Sequence, residues 1–322
     1  MQNRQNALNK WLEGTLIPPQ FSITSLTGDA SFRRYFRLYH DDTTRIIMDA
    51  PPDRESIESF LAIASLLSSA GIHTPKLYAL NKEQGFAVFE DFGDMLLLAK
   101  LNPQSVNKLY TAAIDTLITM QKAATETLPF FDKQFILYEL NIFREWFLSA
   151  YLKINLSQAE EMLLNETFDW LSDQLLQQPQ VFIHRDYHSR NIMILNDEPE
   201  FGIIDFQDAM NGPLTYDLVS LLKDCYIQWP REQVMAWLSY FYEHTPLAQQ
   251  YSFADFARAF DYCGLQRHLK VLGVFSRLYL RDNKPNYLQD LPLTLHYVMA
   301  CLEGREELHD FYQFMHTRIR LP

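Results

Sequence analysis

Cysteine is scarce in this 322-residue chain, and the three thiols, Cys225, Cys263 and Cys301, form no CxxC pair. That leaves neither a disulfide framework nor a thiolate zinc site, and predicts reduced thiols in a core. Excess positive charge is lacking too. Twenty-eight Lys and Arg against 40 Asp and Glu give a net charge of -12, the opposite of the basic face that nucleic acid requires. No apolar run approaches the roughly 20 residues of a membrane-spanning helix. The opening MQNRQNALNKWLEG has no apolar h-region, so no signal peptide is expected. Repeats and low-complexity tracts are missing as well. A hydrophobic content of 48% is nevertheless ample for a folded core. These features predict a globular cytoplasmic protein that binds neither nucleic acid nor membrane.

What is present divides into two patterns. FSITSL, YFRLYH and RIIMDA have the character of strands, with TGDASFRR turning between the first two. DRESIESFLAIASLLSSAG follows with apolar residues at helical spacing and Gly71 as its stop. PKLYAL and GFAVFED then predict two further strands. From about Pro103 the pattern is mainly helical, interrupted near 181–206 by the short apolar runs VFIH, NIMIL and GIIDF. The expectation is an α+β protein with a small sheet lobe, residues 1–92, and a larger helical lobe, residues 93–322.

The stretch VFIHRDYHSRNIMIL concentrates His184, Arg185, Asp186, His188, Arg190 and Asn191 between two apolar runs. Polar side chains at strand ends are held rigidly and can converge on one point. GIIDFQD then delivers Asp205 at the end of another apolar run. Two carboxylates and an amide are hard oxygen ligands that suit Mg2+, which takes one or two carboxylates and leaves its other positions to water and phosphate. The remaining carboxylate can serve as base toward a hydroxyl. Phosphoryl transfer needs this combination, because its catalysis is mostly positioning and charge neutralisation.

HRDYHSRN followed by IDFQD resembles the catalytic loop and metal-binding Asp of the aminoglycoside phosphotransferase and choline kinase superfamily. GDASFRRYFR, MDAPP, AGIHTPKLYA, FEDFGD, IDFQDAMNGPLTYDLVSLLKDCYIQWP and RHLKVLGVFSRLYLRD are most similar to its bacterial branch of anomeric kinases of N-acetylmuramate and N-acetylglucosamine. The resemblance implies a protein-kinase-like bilobal fold, with an antiparallel-sheet nucleotide-binding lobe and a mainly helical catalytic and acceptor-binding lobe. It implies ATP and Mg2+ as cofactors and a small-molecule acceptor, an amino sugar of cell-wall recycling. Asp186 becomes the base, Asn191 and Asp205 the metal ligands, and Glu90 to Phe92 the hinge whose backbone pairs with adenine. His184 packs beneath the loop as structural support, and Asp217 ties the loop down by hydrogen bonds. Asp208 either assists the metal site or caps a turn.

The chain departs from that pattern in two places. It has no GxGxxG, so phosphate contacts would come from the Asp29–Arg33 backbone, Ser31 and the arginines at 33 and 34. The strand-three lysine that would neutralise phosphate is missing, since IIMDAPP offers Met48 and Asp49. A non-catalytic nucleotide-binding module, or a phosphotransferase for aminoglycosides or choline, therefore stays open beside the sugar kinase. In QRHLKVLGVFSRLYLRD, a helix at about 100° per residue places Arg267, Lys270, Arg277 and Arg281 on one stripe. That stripe is either a solvated face or a cationic wall, with Arg267 and Arg277 binding the acceptor's carboxylate.

Overall fold

The computed structural model describes residues 2–15, 20–26, 33–53, 57–195 and 200–321. The chain forms two compact units, Met1–Met95 with Met193–Gln207, and Leu96–Ile192 with Asp208–Pro322.

The first unit opens with helix α1 (Gln2–Thr15), followed by β1 (Ser22–Leu26), β2 (Arg34–His40) and β3 (Thr43–Asp49). Helix α2 (Ile57–Ser69), β4 (Leu77–Asn81) and β5 (Phe86–Glu90) complete its first pass. The five strands form one sheet in the order β1-β2-β3-β5-β4, every neighbouring pair antiparallel. Strand alternation explains its two faces. Phe36, Leu38, Ile47, Phe86 and Val88 form a core with Leu8 and Leu12 of α1, Trp11 packing against it. Sequence periodicity predicts no element before Phe21. The i, i+3, i+4 stripe of Leu8, Trp11 and Leu12 is too short to stand out in a polar segment, and it is the sheet that makes α1 worthwhile. Helix α2 buries Ile57, Phe60, Ile63 and Leu67. Gly71 follows it with φ +85°, the left-handed conformation that ends helices and favours glycine.

The second unit begins with α3 (Leu97–Lys100), α4 (Val106–Met120) and α5 (Lys133–Ile142), the last running into a π-helical segment, Phe143–Tyr151. Helix α6 (Gln158–Leu176) starts at Ser157, whose side chain and Glu160 form a reciprocal capping box. Strand β6 (Gln180–Ile183) then leads into the polar loop. Strands β7 (Ile192–Ile194) and β8 (Phe201–Ile203), which pair with each other, fall almost wholly in the segment Met193–Gln207 of the first unit, and β9 (Met210–Pro213) pairs antiparallel with β6 in the second. Helices α7 (Tyr216–Leu222), α8 (Arg231–His244), α9 (Phe253–Leu280), α10 (Leu291–Leu302) and α11 (His309–Arg318) finish the unit. Buried along most of its length, α9 is its central helix. At Gly273 a Cβ would come within 2.4 Å of Ile142 O, so only glycine lets α9 approach the end of α5 so closely.

The α+β class, the antiparallel sheet and the helical remainder match expectation. One difference concerns residues 193–207. Counting lobes along the chain puts them after a single changeover at residue 93, whereas they group with the sheet unit. Backbone hydrogen bonds from Ile194 N to Met95 O (2.8 Å) and from Ile203 N to His73 O (2.9 Å) account for this, together with Phe206 against Phe60. The runs flanking the polar loop, β6 and β7, lie in separate two-stranded sheets.

Candidate active site

In the helical unit the loop after β6 is tied down at several points. Asp217, fully buried at the start of α7, accepts from His184 N at 2.6 Å and Arg185 N at 2.9 Å. Burial outweighs those donors and pushes its carboxyl up to about 6. His184 is buried, and its Nδ1 lies 3.3 Å from Asp186 N. Asn191 Nδ2 donates to Asp186 O at 3.0 Å, which closes the loop and orients the amide. Ser189 N and Oγ both donate to Asp224, and the Arg190 guanidinium stacks 3.5 Å over the Tyr226 ring. Arg185 holds φ +76°, a left-handed conformation that a non-glycine residue keeps only when its surroundings enforce it.

Amid these ties, Asp186 keeps 42% of its side chain exposed. Burial of the rest opposes its charge, but Lys270, Arg267, His188 and Arg185 hold the carboxyl well below the ordinary range. Arg267 Nη2 lies 3.5 Å from Asp186 Oδ1, and its Nε donates to Ser220 Oγ at 2.5 Å. Neither Arg267 nor Lys270 belongs to a solvated stripe, since both are buried. Arg277, one turn before the end of α9, is half-buried with an Nε that has no hydrogen-bond partner. Arg281 is exposed and pairs with Asp282.

Sequence patterning gives no hint of Glu139, a lone acid on α5 in a segment of helical spacing. It is 1% exposed and accepts from Arg185 Nη2 (2.8 Å) and Gln266 Nε2 (2.9 Å), with Tyr216 OH and Lys270 Nζ each at 3.4 Å. Burial opposes its charge, yet the Lys270 and Arg185 cations and the Gln266 amide hold its carboxyl below the usual range. The four donors come from α7, α9 and the loop itself, a convergence that only the folded chain creates.

In the sheet unit, Asp205 follows β8 with φ +64°, and Gln207 Nε2 donates to its Oδ1 at 2.9 Å. Phe92 packs on Gly202, where a Cβ would meet its ring at 2.5 Å, and stands edge-on to His73. Glu90 N donates to Lys76 O at 2.9 Å, and its carboxylate accepts from Lys76 N and faces His73 Nε2, each at 3.2 Å. Arg37 is bound by Asp91 and Asp94, just beyond β5. Where a strand-three cation would be sought, Met48 and Asp49 are both buried. Asp49 is paired with Arg34, and with Arg4 Nε of α1 at 2.6 Å. Strand alternation puts Asp49 on the α1 side with Ile47, so this pair joins α1 to the sheet. Ser31 lies outside the described residues, and Arg33, just before β2, is half-buried.

Among the described residues no three acidic, His or Cys side chains gather into a metal cluster. The donor set expected for Mg2+ is smaller, one carboxylate and one amide oxygen completed by phosphate and water. The oriented amide of Asn191 in one unit and the carboxylate of Asp205 in the other are each oxygen donors of the required kind.

The model of the phosphotransferase enzyme family matches residues 22–254. The N-acetylmuramate/N-acetylglucosamine kinase of Pseudomonas aeruginosa is 38% identical over 97% of this chain and 96% of its own length. The kinase of the same name from Neisseria meningitidis is 36% identical, over 97% and 95%. Among solved structures, the Streptococcus pneumoniae choline kinase LicA superposes with a TM-score of 0.66 at 14% identity, covering 92% of this chain and 99% of that one. A spectinomycin phosphotransferase in complex with ADP and spectinomycin has a TM-score of 0.62 at 14% identity, covering 94% of each. At such identities the two structures speak to the fold alone.

Proposed function

The chain belongs to the phosphotransferase enzyme family, and from that premise we propose that it is an ATP-dependent sugar kinase. It transfers phosphate to the anomeric hydroxyl of N-acetylmuramate and N-acetylglucosamine in cytoplasmic recycling of cell-wall sugars. The observation that carries the reading is the Asp186 carboxylate, still accessible on a loop tied down from both sides.

Each residue has one task. Asp186 accepts the proton of the acceptor's hydroxyl, whose anomeric position makes it more acidic than an ordinary alcohol. Arg267, expected at the acceptor, is committed to Asp186 and Ser220 and so orients the base. Asn191 and Asp205 hold Mg2+, which when bound neutralises the ATP phosphates. His184 and Asp217 keep the loop in place. Adenine pairs with the hinge backbone from Glu90 to Phe92, through the Glu90 carbonyl because the Glu90 N–H already serves Lys76. Ser31 and Arg33 contact phosphate in place of a strand-three lysine. Arg277, with its Nε unpartnered, binds the lactyl carboxylate of the muramate.

A coupled ADP-release assay across N-acetylmuramate, N-acetylglucosamine, kanamycin and choline tests the reading. Turnover with the two amino sugars is expected. Preference for kanamycin or choline would overturn the acceptor, and ATP binding without turnover on any of them would favour a non-catalytic module.

A further inference from the structure

Buried carboxylates need partners, and among the described residues Asp49, Glu139, Asp217, Asp224 and Asp261 all have them. Glu139 is unusual in what its partners are. Two of them, Arg185 and Lys270, are also among the charges that bear on Asp186. Only Arg267 makes a direct ion pair with Asp186, at 3.5 Å, among the described residues. Lys270 Nζ sits 3.4 Å from Glu139 Oε1 and Arg185 Nη2 2.8 Å from the same atom, while Gln266 and Tyr216 orient the other oxygen. A cation stripped of its carboxylate in a poorly solvated region is left uncompensated at high cost, and pairing with another carboxylate within reach relieves that cost.

We propose that Glu139 is a positioning residue for the base. It is a buried counter-ion that keeps Lys270 and Arg185 from closing onto the Asp186 carboxylate, so that an oxygen stays open to the acceptor's hydroxyl. The inference rests on Asp186 being the base, as proposed above. Arg267 orients that carboxylate from one side, and Glu139 keeps the remaining cations off the other. Without Glu139, Lys270 is the cation freest to move, because its stem is flexible whereas Arg185 is fixed by its backbone tie to Asp217 and by the Phe135 ring beneath its guanidinium.

Glu139→Gln preserves shape and removes the charge. It should lower kcat on N-acetylglucosamine by roughly 10- to 100-fold, part of the full value of a general base, with the KM for ATP changed less than about twofold. Lys270→Met alone should cost only a few-fold. The double variant Glu139→Gln/Lys270→Met removes the competing cation and should recover activity above Glu139→Gln. A purely structural Glu139 would instead give a double variant no better than the worse single one, and that result overturns the proposal. If Glu139→Gln folds poorly, the double variant alone decides, since it removes both charges together. Activity within about tenfold of wild type supports the proposal, and activity as low as that of Asp186→Ala refutes it. An active wild type that is insensitive to Asp186→Ala would instead strike the base assignment itself.

Discussion

Asp49 in the sheet unit and Asp186 in the helical unit are both paired with arginine, yet only Asp186 stays open to solvent. Asp49 is fully buried, and its arginines, Arg4 and Arg34, come from a helix and a neighbouring strand. The pair joins α1 to the sheet, and no oxygen is left for a ligand. Asp186 is held by Arg267 yet keeps 42% of its side chain exposed. An ion pair therefore does not distinguish structural from functional carboxylates here. What distinguishes them is access: two arginines take both oxygens of Asp49, whereas Lys270 and Arg185 pair with Glu139 and, among the described residues, leave Asp186 to Arg267 alone.

The contrast breaks most visibly at the metal. With Asp205 as the proposed metal ligand, Asp205→Ala should abolish Mg2+-dependent turnover and weaken ATP binding, because the ion it would hold would neutralise the nucleotide's phosphates. Calorimetry showing wild-type affinity for Mg·ATP in this variant would contradict the assignment. Asp49→Ala should do the converse, lowering stability by about 3 kcal/mol, the low end for breaking a buried pair because its arginines are partly solvated. Denaturant unfolding measures that loss, and kcat per folded molecule should be unchanged.

Asp217 sharpens the comparison through pH. Its folded carboxyl titrates at about 6, above the 3.8 of an ordinary Asp. The folded state thus binds the proton more tightly, so this group's contribution is fully present below about pH 4 and lost as pH rises through 6. Asp217→Asn cannot titrate, and the stability difference between wild type and this variant should shift toward the variant across that window. A difference that is flat from pH 4 to 7 would refute the shift. The smallest effect is expected at Arg277. Arg277→Leu should raise KM for N-acetylmuramate about tenfold, the scale of one charge-assisted contact, while leaving the uncharged N-acetylglucosamine nearly unaffected. Equal changes for both sugars would discard the carboxylate contact.

Local chemistry made much of this legible beforehand. Alternation in YFRLYH and RIIMDA marks β2 and β3 to within two residues at either end, because one face of the sheet must be apolar. Helical spacing in QRHLKVLGVF places Arg267 and Lys270 on α9. Periodicity is silent, however, about which charged residues a long helix buries, and the stripe it groups together divides into buried and exposed members. Strand β9, in AMNGP, lacks β-branched residues and exists because β6 supplies its partner. Glu139 was out of reach for the same reason. Its meaning lies in donors from Arg185, Tyr216, Gln266 and Lys270, far from it in sequence.

The most direct test pairs kcat with thermal stability for Asp186→Asn. A half-exposed carboxylate acting as base predicts a kcat on N-acetylmuramate lower by roughly 10²- to 10⁴-fold, with a melting temperature close to wild type. Near-wild-type turnover, or a stability loss as large as that of Asp49→Ala, would show that Asp186 is another structural carboxylate and contradict the account.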